Sequence, residues 1–287
     1  MTDVFILSAA RTAIGTFGGS LSGVPPVDIA THAARAAIAR AGVEAGQIGT
    51  VVFGHVINTE PRDMYLSRVA ALQAGVPETV PAMNVNRLCG SGAQAIVSAC
   101  QALMLGDADV ALAGGAECMS RSPYSLPAAR WGQKMGDTKA IDMMTGALTC
   151  PFGTGHMGVT AENVAAADGI TRADQDAFAL ESQARAARAI AEGRFTQEIV
   201  PIEISGRKGS VSFAVDEHPK ATTAEALAGL RPAFQKDGTV TAGNASGLND
   251  GAGALVLATG AAAKGLKPRA RLMGWAVAGG EQKVMGV

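Results

Sequence analysis

"AMNVNRLCGSGAQAIVSACQALMLGDADVALAG", Ala82 to Gly114, contains a whole strand, helix and strand, and its reading decides the fold. "AMNVN" reads as a strand, "GSGAQAIVSACQALMLG" as a helix stopped at Gly106, and "DVALAG" as a second strand. The same alternation precedes it. Val4 to Leu7 is a short apolar strand, and Pro25-Pro26 lead into a helix whose Val27, Ala30, Ala33, Ala34, Ala37, Ile38 and Ala41 recur at helical spacing before Gly42. "TVVFGHVI" then reads as a buried strand and Met64 to Ala74 as a helix. Strands alternating with helices predict an α/β fold: a mostly parallel sheet covered on its faces, with ligands beyond the carboxyl ends of the strands.

The texture changes after Met119. Pro, Gly, Met and Ser are dispersed to about Ala242, one long polar helix spans Arg172 to Glu192, and short strands follow at "EIVPIEI" and "GSVSFAV". This predicts a loop-rich insertion. Strand character resumes at "GAGALVLATG" and again at "ARLMGWAVAGG", which reads as the opening strand of a further domain.

Composition narrows the function classes. The 287 residues are 48% hydrophobic and 17% charged with a formal net charge of −1, enough to bury a core and without the basic stripe of a nucleic-acid binder. Cys89, Cys100, Cys118 and Cys150 show no C-x-x-C spacing and no paired histidines, which predicts no metal site, no disulfide framework and a reducing, cytoplasmic setting. The N-terminus reads as a first strand and not as a signal peptide, and no uninterrupted apolar run reaches the length of a membrane span.

Cys89 is the residue to explain. It stands between a strand and a helix beginning Gly-Ser-Gly, where backbone N–H groups and the helix dipole favour an anion and glycines leave room for a substrate. Strand, sharp turn and helix is the logic of a nucleophile elbow. A buried cysteine at a turn fits the same residues, and local sequence leaves both readings open. "GTFGGS", Gly15 to Ser20, lacks the full phosphate-loop patterns and reads as a plain loop. Glu117, after Gly114-Gly115, reads as tied to backbone. His32 and His55 read as packed or surface residues, and His156 in "FGTGHMG" as the best ligand contact among the four histidines. The small, polar run "GTVTAGNASGLNDGAGA", Gly238 to Ala254, suits close approach of a ligand.

Together these motifs carry a family resemblance. "NRLCGSGAQAIVSA", "AGGAECMSRSPY", "HMGVTAENVA" and "GTVTAGNASGLNDGAGA" resemble, in order and interval, segments of the thiolases, the acetyl-CoA acetyltransferases and 3-ketoacyl-CoA thiolases; the opening "ILSAARTAIGTFGGSL" and the ending "KVMG" do so too. The resemblance implies that Cys89 is the nucleophile acylated by a thioester. It implies a coenzyme A and pantetheine channel lined by Leu148, His156, Met157, Leu230, Phe234, Ala242, Ser246 and Gly247, with Lys220 near the nucleotide end. Coenzyme A then serves as substrate carrier, with no tightly bound cofactor. The segment Ser125 to Asp142 resembles the loop that joins two dimers, which implies a homotetramer.

The implied domains are residues 1–118 with 249–270 as an N-terminal thiolase α/β domain, 119–248 as the inserted loop domain, and 271–287 as the start of a truncated C-terminal domain. Thiolases continue past "KVMG" through N-E-A-F, G-H-P and C-x-G-G-G motifs that supply the base and a second acid, and none of these occurs in this sequence. The implied reaction is reversible Claisen-type acyl transfer, two acetyl-CoA giving acetoacetyl-CoA and CoA. The alternatives are a broader 3-ketoacyl-CoA thiolase, a noncatalytic fragment that at most binds coenzyme A, and a ketosynthase-like relative acting on carrier-bound thioesters.

Overall fold

A computed structural model of the chain describes residues 2–206 and 209–287. The chain divides into two compact units, one of residues 1–121, 195–217 and 249–276, the other of residues 122–194, 218–248 and 277–287.

The first unit is built on one sheet. Its strands are β1 (Val4–Arg11), β2 (Thr50–Gly54), β3 (Ala82–Val85) and β4 (Val110–Cys118), and, after the hairpin of β5 (Ile202–Gly206) and β6 (Gly209–Phe213), β7 (Asn249–Thr259) and β8 (Ala270–Arg271). The sheet order is β8-β1-β7-β4-β2-β3, with the short strand Gly15–Thr16 also on β7. Helices α1 (Pro26–Ala41), α2 (Leu66–Gln73) and α3 (Ser91–Leu105) cover it.

Strand periodicity allots the two faces. In β2, Val51 and Phe53 join the cluster of α1 and α2 with Ala33, Ala37 and Ala70, whereas Val52 joins Ala95, Ala99 and Leu103 of α3. In β4, Leu112 faces the first cluster and Ala111 and Ala113 the second. The small residues of β4 let α3 pack close. Gly42 and Gly106 end α1 and α3 in the left-handed region, with φ of 72° and 84°.

Several expectations are corrected. The sheet is mixed and not mostly parallel: β2 pairs parallel with β3 and β4, but β7 runs antiparallel to both β1 and β4. A fully buried strand reads as a plain apolar run in either direction, so its polarity is invisible in sequence. "TVVFGHVI" leaves the ladder after Gly54, so His55 lies just past the strand. The helix expected from Met64 begins as a 3₁₀ turn, Pro61–Tyr65, before α2. In "ARLMGWAVAGG" only Ala270–Arg271 pairs, with β1, and Met273, Trp275 and Val277 are exposed.

The insertion is also not one block. Residues 195–217 belong with the sheet unit because Ile199, Ile202 and Phe213 join its core and Arg11 grips Asp216 through two hydrogen bonds of 2.8 and 3.0 Å. Residues 277–287 belong with the other unit, where Asn163 Nδ2 donates to the Lys283 carbonyl at 2.8 Å. Leu88–Leu105 reaches a mean hydropathy of 1.4 over 18 residues, so one segment does pass the length and composition test for a membrane span. The same segment contains α3, whose Ala95, Ala99, Cys100 and Leu103 are buried on the sheet, the setting of a core helix.

The second unit holds α4 (Met157–Asp168), α5 (Arg172–Ala191), the short helices Met143–Ala147 and Ala224–Ala228, and the two-residue hairpin Thr149–Cys150 with Gly155–His156. Thr171 opens α5 with a reciprocal capping box to Asp174.

Truncating the fully buried Leu112 on β4 to alanine should cost about 2–5 kcal/mol of unfolding free energy. Leu105→Ala, at a side chain 80% exposed on α3, should stay within about 0.5 kcal/mol; denaturant titration of both variants checks the assignment of the core.

Candidate active site

The turn Arg87–Gly90 that carries Cys89 is stitched together by its neighbours. Ser91 Oγ accepts from Arg87 N at 2.8 Å and donates to the Leu88 carbonyl at 2.6 Å, and Asn86 Oδ1 accepts from Leu88 N at 3.0 Å. Leu88 has a φ of 44° and is the sole non-glycine with positive φ among the described residues. Such strain costs of order 1–3 kcal/mol and persists only where the surroundings over-determine it. Cys89 follows it, exposed, and Gly90 caps α3. The elbow geometry is therefore present, with the strain one residue ahead of the thiol.

Two glycines make that placement possible. A Cβ on Gly54 would lie 2.5 Å from the Ser91 carbonyl carbon and 2.7 Å from Gly92 N, and one on Gly115 would lie 3.5 Å from Gly92 Cα. The first turn of α3 rests directly on the end of β2 and on Gly115 within β4.

Three further thiols are free. Burial pushes Cys100 up, and burial followed by the charge of Asp250 pushes Cys118 up to about 12, so both are kept as neutral thiols. Cys150 is partly exposed, and the Thr154 hydroxyl, followed by the N–H groups of Phe152 and Thr154, holds its thiol below the ordinary value. Sequence reading missed this second accessible thiol, because its donors come from a turn whose geometry no motif announces.

The loop Gly15 to Ser20 does cradle an anion, but the anion is the chain's own. Glu217 accepts from Thr16 N at 3.0 Å and Ser20 N at 3.2 Å and bonds the Ser20 hydroxyl. Glu117 is tied to backbone as expected, accepting from Val56 N at 2.9 Å and Ile57 N at 3.1 Å. His55 is packed, with its ring beside Glu117 at 3.6 Å. Burial raises the Glu117 carboxyl above its ordinary value, and His55 and the two N–H donors pull it back.

All nine residues proposed for the coenzyme A channel fall in the second unit. His156 caps α4: its Nδ1 accepts from Gly158 N at 3.1 Å, which leaves Nε2 as the ring's donor, and the ring stacks on Phe234 with centroids 4.9 Å apart and 15° between planes. Gly158 is needed there because any Cβ would enter the Phe234 ring. Met157 N donates to the Leu148 carbonyl at 2.8 Å, which joins the 148 and 156 segments. Leu230 abuts Gly243, and Gly247 lies against the His218 imidazole. Ala242, Ser246 and Gly247 are exposed along one short segment. Lys220 is exposed, and its N–H donates to Gln183 on α5 at 2.9 Å. Among the described residues no three His, Cys, Asp or Glu side chains cluster as metal ligands would.

The buried Glu162 on α4 holds this segment together. It accepts from Thr239 N at 2.9 Å, the Thr239 hydroxyl at 2.8 Å and Val240 N at 2.8 Å. No sequence pattern marked it.

Sheet, elbow and segments together match known proteins. The family described as "Thiolase, N-terminal domain" matches residues 4–261. The chain is 57% identical over 289 residues to the beta-ketothiolase BktB of Cupriavidus necator, covering 99% of this chain and 73% of that protein. Among solved structures, the acetyl-CoA acetyltransferase of Bacillus anthracis superposes with a TM-score of 0.96 at 48% identity, covering 100% of this chain and 73% of the other. Human mitochondrial 3-ketoacyl-CoA thiolase in complex with CoA superposes with a TM-score of 0.95 at 41% identity, covering 99% and 72%. The chain belongs to the thiolase family, and its sheet unit has the thiolase fold.

The Glu162 bonds carry a pH prediction. Burial opposes its ionisation, but the Thr239 and Val240 donors outweigh it and hold the folded carboxyl below its ordinary value. Its contribution is therefore complete above the unfolded carboxylate value of about 4.3 and is lost as pH falls below that. Glu162→Gln should lower stability at pH 7 by about 1–3 kcal/mol and flatten the loss of stability as pH falls below about 4.3, read by urea titration at a series of acidic pH values.

Proposed function

We propose that the chain carries reversible Claisen-type acyl transfer between coenzyme A thioesters, two acetyl-CoA giving acetoacetyl-CoA and CoA, through an acyl-Cys89 intermediate. The observation that carries this reading is the exposed thiol of Cys89 at a strained turn, two residues before a 15-residue helix. Support comes from the names of the relatives, a beta-ketothiolase and an acetyl-CoA acetyltransferase.

In the first step Cys89 Sγ attacks the thioester carbonyl carbon, the bond from that carbon to the coenzyme A sulfur breaks, and the departing sulfur takes up the proton that Cys89 gave up. The Cys89 N–H is a donor for the oxyanion. In the second step an acetyl-CoA that has lost a proton from its methyl carbon attacks the acyl carbon, the bond to Cys89 Sγ breaks, and the freed sulfur takes up a proton in place of the one the methyl carbon gave up, which restores the thiol. The apolar Leu148, Met157, Leu230 and Phe234, with His156 and Ser246 as polar contacts, suit a pantetheine arm, and Ala242 and Gly247 leave its path open. The exposed Lys220 supplies a positive charge that suits phosphate. The exposed Trp131 and Met135 within Ser125–Asp142 favour the reading of that loop as a contact between dimers, in a homotetramer. Four free cysteines suit a reducing cytoplasmic compartment.

A second reading is acylation of Cys89 without turnover, because the exposed thiol is all that the first step asks of the chain. Thiolysis of acetoacetyl-CoA by CoA, followed as loss of the substrate's absorbance, separates the two. Turnover that falls by about a thousandfold or more in Cys89→Ala and is kept in Cys150→Ala supports the full reaction. Acetylated Cys89 without turnover supports the second reading, and activity that survives Cys89→Ala overturns both.

A further inference from the structure

The ladder between β2 and β4 ends at the pair Gly54 and Gly115, directly beneath the first turn of α3. Side chains take over where it stops. His55 Nδ1 donates to the Ala116 carbonyl at 2.9 Å, which fixes the proton on that nitrogen, while Glu117 reaches back to the N–H groups of Val56 and Ile57. His55 N adds a bond to the Val85 carbonyl of β3 at 3.1 Å, next to the strand exit that leads to Cys89. Three strands are thereby joined by two residues.

The tie is made of groups that are expensive to bury. The His55 side chain is 2% exposed, and its Nε2 is buried with no hydrogen-bond partner among the described residues. Asp63, fully buried, faces Glu117 and accepts from Thr59 N, Thr59 Oγ1 and Glu60 N through Oδ2, with Oδ1 likewise unpartnered. Glu60 in turn pairs with Arg121 at 3.2 Å. An apolar plug would close the same space without this penalty, so the presence of these polar groups is explained by the backbone they hold. The strained Leu88 turn also needs a platform that does not give.

We propose that His55 and Glu117 are positioning residues for Cys89: they prolong the β2–β4 pairing beyond its last glycines and hold the platform that keeps the thiol at the start of α3. The proposal rests on the reading of Cys89 as the nucleophile, but its test does not pass through acylation, so failure of wild-type protein to accept an acetyl group sinks that reading and leaves this comparison standing.

The test is the rate of alkylation by iodoacetamide at pH 7, read at the peptides of Cys89 and Cys150 in the same molecules, so that Cys150 in the other unit controls for fold and reagent. In His55→Leu and Glu117→Gln the ratio of Cys89 to Cys150 rates should fall about tenfold, the size of a lost helix-terminus interaction. His55→Asn, which keeps a donor for the Ala116 carbonyl, should stay within about threefold of wild type, a rescue that mere filling of space does not give. Should His55→Leu fail to fold, Glu117→Gln decides by the same ratio. The proposal is overturned if the ratio stays within about twofold of wild type in the folded variants that lack the tie, or if His55→Asn slows Cys89 as much as His55→Leu does.

Discussion

The structure of the sheet unit depends on one close approach, the first turn of α3 resting on the bare backbones of Gly54 and Gly115. A methyl group at Gly54 would collide with Ser91 backbone, so α3 could not begin where it does if β2 ended in any other residue. From that contact the rest follows. The helix axis is fixed against β2 and β4, its buried stripe Ala95, Ala99 and Leu103 meets Val52, Ala111 and Ala113, and the chain entering it must turn sharply at Leu88. Cys89 is carried by that turn to an exposed position at the positive end of the helix dipole. Packing thus does chemical work: the same glycines that close the core present the thiol.

Much of this could be read in advance because each level of the sequence agreed with the next. The strand, turn and helix around Cys89 were legible from apolar periodicity and from Gly106. The polarity of β7 was not legible, since Leu255, Val256 and Leu257 read alike in both directions. Nor was the return of residues 195–217 to the sheet unit. That return rests on Arg11 meeting Asp216 and Glu198 from positions about two hundred residues away in sequence, a contact that local pattern does not encode.

The site was legible unevenly for the same reason. Cys89 stood out because its chemistry is local: a thiol, a turn and a helix start within five residues. The residues proposed for a coenzyme A channel came from family resemblance, and the structure gathers His156, Phe234 and Gly158 through a ring stack between segments about eighty residues apart. Glu162 and the His55–Glu117 tie were invisible, because their meaning lies in backbone donors that only folding brings together. Cys150 is the sharper lesson. Counting cysteines makes it one of four, and only the turn at Phe152–Thr154 makes it a competitor of Cys89 for electrophiles.

That competition defines the measurement closest to the central claim, that the fold singles out Cys89 among the accessible thiols as the acyl acceptor. Folded protein exposed to acetyl-CoA and digested without reducing agent can be mapped by mass spectrometry, cysteine by cysteine. The account predicts one acetyl group, on the peptide that contains Cys89, with Cys150 unlabelled. Acetyl label on Cys150 at an equal or greater level, with Cys89 free, would contradict it.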